Sequence, residues 1–232
     1  MTELAPGLHL LKDRVANAYL YATGEELTLI DSGIPRRARK ILNYVRSIGH
    51  APSDLKRIVI THADWDHAGS AAALQKETGA QVIAGAETAR WLQRGTSPRH
   101  LPRPLHILLV LFARYAKVPG AAITTVEDGQ RLAGPGNLTA LATPGHTPDH
   151  FAFFDPSTGI LFAGDALQTR RGTLGLGSRL VTGDVASARN SARQLLSLTP
   201  AMFACGHGPP LSGHDVGDVM HLLRQLESGA IP

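Results

Sequence analysis

The chain has 232 residues, 43% hydrophobic and 18% charged, a balance that excludes a disordered or fibrous protein and predicts one large domain or at most two small ones. Its 23 basic residues against 19 acidic give a net charge of +4, spread along the chain rather than gathered into a tail, so composition gives no reason to expect nucleic acid as a partner. One cysteine, Cys205, rules out an intramolecular disulfide. The N-terminus reads as no signal peptide, and the longest apolar run, Ile107–Ala113, falls well short of the roughly 20 residues of a spanning helix. The expectation is a cytoplasmic protein without stable membrane insertion.

In chain order, Leu8–Leu11, Asn17–Ala22 and Leu27–Ile30 read as strands, with Thr23-Gly24-Glu25 as the turn between the last two. After Asp31-Ser32-Gly33, with Pro35 placed near a helix start, Ile41, Leu42, Val45 and Ile48 recur at helical spacing, and Gly49 ends that helix. Arg57–Ile60 predicts a buried strand that runs into Thr61-His62-Ala63-Asp64-Trp65-Asp66-His67-Ala68-Gly69. A helix rich in small residues over 68–78, a strand over 81–84 and a helix over 86–94 follow. Residues 95–120 break the rhythm: Pro98, Pro102, Pro104 and Pro119 bracket an apolar run, with Arg99, Arg103, Arg114 and Lys117 and no acid. This stretch reads as an insertion in a single domain, whether a lid, a cover for the core or a contact between two copies of the chain. Beyond it, 122–126, 138–143, 151–154, 160–163 and 202–204 predict strands, and 184–198 and 216–226 predict helices.

The chemistry concentrates in His62, Asp64, Asp66 and His67, four metal-capable side chains within six residues on a loop leaving a strand. A single His or Asp there is most often a surface or capping residue. Four together, with no Lys or Arg among them to pair the carboxylates, point to metal. Three later segments repeat one pattern, a strand followed by a metal-type residue beside glycine: Thr143-Pro144-Gly145-His146, Ala163-Gly164-Asp165 and Cys205-Gly206-His207. Glycine permits tight turns and close backbone approach at strand ends. Taken alone, His146 is a turn histidine and Asp165 a helix cap; the argument is their joint occurrence.

His62-x-Asp64-x-Asp66-His67 with His146, Asp165 and His207 resembles the metal signature of the metallo-β-lactamase superfamily, over nearly the whole chain. The wording around His146 and Asp165 resembles glyoxalase-II-like and lactonase-like members. The resemblance implies an α/β fold, a four-layer αββα sandwich, with two divalent cations at one edge. It implies one cation site of His62, Asp64 and His146, another of Asp66, His67 and His207, and Asp165 bridging them. It also implies Asp31 as support behind the ligands, and His150, four residues after His146, reads as a neighbour of the site or of the substrate. Asp66 is both a ligand and the expected catalytic proton acceptor. Zinc is the family's usual metal. Asp64 replaces the commoner histidine, and an added anionic oxygen donor favours harder ions, which brings in Mn²⁺ or Fe²⁺.

The function so implied is hydrolysis of an ester, lactone, thioester or β-lactam amide bond in a small molecule, by water that the metal has acidified. Only 25 residues follow His207, where glyoxalase II carries a helical domain, and Gln168 stands where lactonases of the family place a tyrosine. Arg103, Arg114, Gln168 and Arg170 are candidate substrate contacts. A possible homodimer is the remaining partner expectation. The rival readings are an oxidoreductase with a single iron, resembling persulfide dioxygenases of the same fold, and a non-catalytic metal-binding scaffold.

Overall fold

The computed structural model describes residues 1–13, 15–100, 113–132, 137–212 and 216–228. Its strands are β1 (Thr2–Ala5), β2 (Leu8–Lys12), β3 (Asn17–Thr23), β4 (Glu26–Ile30), β5 (Leu55–Val59), β6 (Gln81–Gly85) and β7 (Ile123–Val126), which form one sheet in that order. The first four pair antiparallel, and β4 through β7 pair in parallel. Parallel neighbours need crossovers, and α1 (Ala38–Ser47), α2 (Trp65–Ala68), α3 (Ala71–Thr78) and α4 (Ala86–Arg94) lie in those connections. A second sheet has the order β14 (Leu211–Ser212), β13 (Met202–Cys205), β10 (Ile160–Gly164), β9 (Phe151–Asp155) and β8 (Thr139–Ala142). The hairpin β11 (Gln168–Arg170) and β12 (Thr173–Gly175) stands apart, and α5 (Val185–Ser197) and α6 (Val216–Ser228) follow.

Alternation along the strands explains the layering, because successive side chains point to opposite faces. On β3, Ala18 and Leu20 join Ile41, Leu42, Val45 and Leu74 of the helices in one core. Tyr19 and Tyr21, on the other face, meet Phe153 and Phe162 between the sheets. On β10, Phe162 faces that middle core, whereas Leu161 and Ala163 meet Leu195, Leu196, Leu222 and Leu226 of α5 and α6. Three apolar layers therefore separate helix, sheet, sheet and helix, the expected αββα sandwich. Each fully buried Leu or Phe contributes about 1.5–3 kcal/mol relative to exposure.

The helix expected over 68–78 is two helices. Gly69 is the break: a Cβ there would fall 2.4 Å from Pro35 N, and Ser70 turns its hydroxyl to the Ile34 carbonyl at 2.7 Å and accepts the Arg37 N–H at 2.8 Å. Pro35 thus seats the start of α3 against the loop after β4 rather than opening α1, which begins at Ala38. The short strands β1, β11, β12 and β14 are additions that periodicity does not reveal. Most of the proline-bracketed apolar run, together with Arg103, lies outside the described residues. No helix among the described residues is long and apolar enough to cross a membrane.

Candidate metal centre

The first loop of the site leaves β5, and its geometry is fixed before any side chain points at a ligand. Ile60 N donates to the Ile83 carbonyl, extending the parallel pairing with β6 by one bond. Thr61 N and Oγ1 then donate to Asp31, which follows β4 with φ 59°, a left-handed conformation that Asp tolerates better than most residues. Asp64 is extended and caps α2 without using its carboxylate, which is left free to face inward. Asp66 and His67 lie on the first turn of that helix.

The tautomers follow from the partners. The Thr61 hydroxyl gives its proton to Asp31, so its 3.0 Å contact with His62 Nδ1 is a hydrogen bond donated by the imidazole. His67 Nδ1 donates to Asp31 Oδ2 at 2.7 Å. Both histidines therefore turn Nε2 into the site, the arrangement typical of metal-ligating imidazoles. Asp31 lies on the Nδ1 side of His67, away from Nε2.

The other ligand candidates come from the second sheet. His146 follows β8 through a turn in which Gly145 has φ 144°, and a Cβ there would fall 2.3 Å from Ala188 N on α5. Asp165 follows β10. Its N–H donates to His150 Nε2 at 2.9 Å, so His150 carries its proton on Nδ1 and donates to Thr143 Oγ1 at 2.7 Å. Burial, then the neighbouring His146, pushes His150 down to about 3, so it is neutral and serves as an acceptor for the Asp165 backbone. His207 follows β13 through Gly206, whose N–H donates to Gly164 O; a Cβ on Gly206 would lie 2.3 Å from Asp165 Oδ1. Asn17 holds that loop from the first sheet, donating from Nδ2 to Cys205 O at 3.0 Å and to Gly208 O at 2.6 Å.

All seven side chains converge. His62, Asp64 and His146 form one set with ligand atoms within 4.8 Å of one another, and Asp66, His67 and His207 form a second. His62, His67 and Asp165 make a third that joins them. Asp165 Oδ1 is 3.2 Å from His67 Nε2, while Oδ2 is 3.0 Å from His207 Nε2 and 3.5 Å from His146 Nε2. Burial pushes Asp165 up, but His67 and His207 outweigh it and hold the carboxyl well below its ordinary value. Burial dominates at Asp66 and raises it, and Asp64 is lowered because His146 and His100 overcome burial. His62 Nε2, His67 Nε2, Asp64 Oδ1 and Asp165 Oδ1 are buried without a hydrogen-bond partner. Buried polar atoms are costly to leave unmade, and imidazole and carboxylate donors turned toward one point fit divalent cations.

Residues 11–207 match the profile described as the metallo-beta-lactamase superfamily. The chain belongs to the metallo-beta-lactamase superfamily. Among superfamily relatives, the uncharacterized protein YobT of Bacillus subtilis (strain 168) is 32% identical over 201 residues, 83% of this chain and 82% of its own. The probable metallo-hydrolase YflN of the same organism is 26% identical over 97% of this chain and 93% of its own. A metallo-beta-lactamase family protein from Thermus thermophilus superposes with a TM-score of 0.74 at 26% identity, over 98% of this chain and 80% of that one. Membership fixes the fold and implies divalent metal at the cluster.

The remaining candidates fall elsewhere. Gln168 Nε2 donates to Leu176 O at 2.8 Å and so belongs to the hairpin. Arg114 and Arg170 are exposed, and among the described residues no hydrogen bond or ion pair ties either to the cluster. Three residues near the site escaped sequence reasoning. Asp149 is buried and accepts from Ala63 N and Thr88 Oγ1, locking the metal loop to α4. Tyr115 donates to the Ala63 carbonyl at 2.8 Å. His100 brings Nε2 to 3.5 Å from Asp64 Oδ2.

Proposed function

We propose that this chain is a metal-dependent hydrolase holding two divalent cations, one on His62, Asp64 and His146 and one on Asp66, His67 and His207, with Asp165 shared. The supporting observation is the reach of Asp165: one carboxylate lies within 3.5 Å of histidines of both sets, with Oδ2 between His146 and His207 and Oδ1 beside His67. When bound, such cations supply an acidified water and a positive charge that polarises the electrophile. The protein's part is orientation and proton handling. Asp31 fixes the His67 ring, His150 pins the Asp165 backbone, and Asp66 is the acceptor for the proton of the attacking water.

The substrate is a small molecule with an ester, lactone, thioester or β-lactam amide bond. A cleft of about 350 Å³ bounded by Arg99, His100, Gly145, Gly183 and Ser187 is of that scale. Zinc is the first expectation, with Mn²⁺ or Fe²⁺ favoured over the usual balance by the Asp64 carboxylate.

The test is elemental analysis of purified protein with a panel of those four bond classes. About two cations per chain and chelator-sensitive hydrolysis are expected, with Asp165→Asn losing both hydrolysis and at least one cation. One iron per chain, oxygen uptake with a persulfide and no hydrolysis would replace this reading with the oxidoreductase.

A further inference from the structure

His100 is an imidazole at the cluster's edge for which the two ligand sets provide no role. Its side chain is 2% exposed. Nδ1 lies 3.2 Å from the Pro98 carbonyl oxygen, and because a carbonyl only accepts, Nδ1 carries the proton. Nε2 then presents a lone pair 3.5 Å from Asp64 Oδ2. Two acceptors facing each other in a buried place repel unless a positive charge lies between them. A divalent cation held between the imidazole and the carboxylate supplies that charge.

The surroundings agree. Asp64 Oδ2 also lies 3.5 Å from His146 Nε2 and 3.7 Å from His62 Nε2, so three imidazole Nε2 atoms surround one oxygen. The His100 and His146 ring centroids are 5.6 Å apart. An Nδ1–H bound to a carbonyl with Nε2 turned inward is the usual way a ligating imidazole is held. Gly183 makes the approach possible: its N–H donates to His146 O, and a Cβ there would fall 3.1 Å from His100 Cβ and 3.4 Å from His146 O.

We propose that His100 is a further ligand of the cation held by His62, Asp64 and His146, so that this site has three imidazoles and one carboxylate besides the shared Asp165. The inference rests on the two-cation reading above. With four protein donors of its own, that cation has little room for substrate, and the open position falls to the Asp66, His67 and His207 site. The residue also lines the cleft, so whatever enters there meets a filled coordination shell on that side.

Histidine ¹⁵N spectra of the intact wild-type chain, recorded before and after adding Zn²⁺, test this without depending on a variant that folds. His100 Nε2 should move to the shift of a coordinated nitrogen together with His62, His67, His146 and His207, with assignments checked in His100→Gln. In His100→Ala and His100→Gln, competition with a chelator should show one of two Zn²⁺ ions held about 10–100-fold more weakly, and the visible spectrum of the Co²⁺-loaded protein should change. A His100 nitrogen that stays at its free shift while the other four move overturns the proposal and leaves the two-cation reading standing. A wild-type chain whose imidazoles all stay unmoved removes both.

Discussion

At the scale of single residues, the site works through partners that never touch a cation. Asp31 accepts from Thr61 N, Thr61 Oγ1 and His67 Nδ1, and so sets the register of the loop and the tautomer of one imidazole together. Replacing it with asparagine keeps the shape but removes the charge and substitutes a donor for one acceptor. Asp31→Asn should therefore weaken cation binding by about 10–100-fold, read by titrating Zn²⁺ against a competing chelator. Binding equal to wild type would mean that Thr61 alone orients the loop.

At the scale of elements, the ligands follow the ends of β5, β8, β10 and β13, and each loop is stabilised by a bond to another element. Asn17, at the start of β3, is the clearest case: its side chain donates to Cys205 O and Gly208 O, and its own N–H donates to Gly206 O. Asn17→Ala leaves two carbonyls of the His207 loop without that donor and should cost about 1–3 kcal/mol, measured as a lower urea midpoint with unchanged slope. A midpoint within error of wild type would show that water replaces the amide. The long strands and the seven ligand candidates were legible in the sequence because strand alternation and the coincidence of His, Asp and Gly after apolar runs are local signals. The two-residue strand β14, the three-residue strands β11 and β12, and the break at Gly69 were not, since their causes are contacts such as Gly69 against Pro35, far away in sequence. His100 was passed over for the same reason: it stands in a proline-rich stretch without periodicity, and only the fold carries it to Asp64.

At the scale of the whole molecule, the two sheets are joined by more than apolar contact. The Tyr21 hydroxyl on β3 donates to Asp155 Oδ2 on β9 at 2.7 Å, and Asp155 Oδ1 accepts from Ser157 N and Oγ. Burial pushes Asp155 up, yet the bonds from Ser157 and Tyr21 outweigh it and hold the carboxyl below its ordinary value. A carboxyl lowered in the folded state stabilises the fold above its unfolded value, about 3.9, and loses that contribution as pH falls through the lower folded value. Asp155→Asn should thus be less stable than wild type at pH 7, with the gap closing as the buffer is taken below about pH 4. Urea midpoints at neutral and acid pH check this, and a gap that stays constant would assign the loss to shape rather than charge.

Cys205 gives the seam between the sheets a reporter of its own. It is the chain's only thiol. It is fully buried, burial pushes the thiol far up from its ordinary value, and its carbonyl receives Asn17 from one side and the Tyr19 hydroxyl from the other. A thiol so enclosed reacts with an alkylating reagent only when β13 comes away from its neighbours, so its labelling rate counts openings of the strand that carries His207. The chain thus contains, two residues from a candidate ligand, a natural clock for how often the metal centre comes apart.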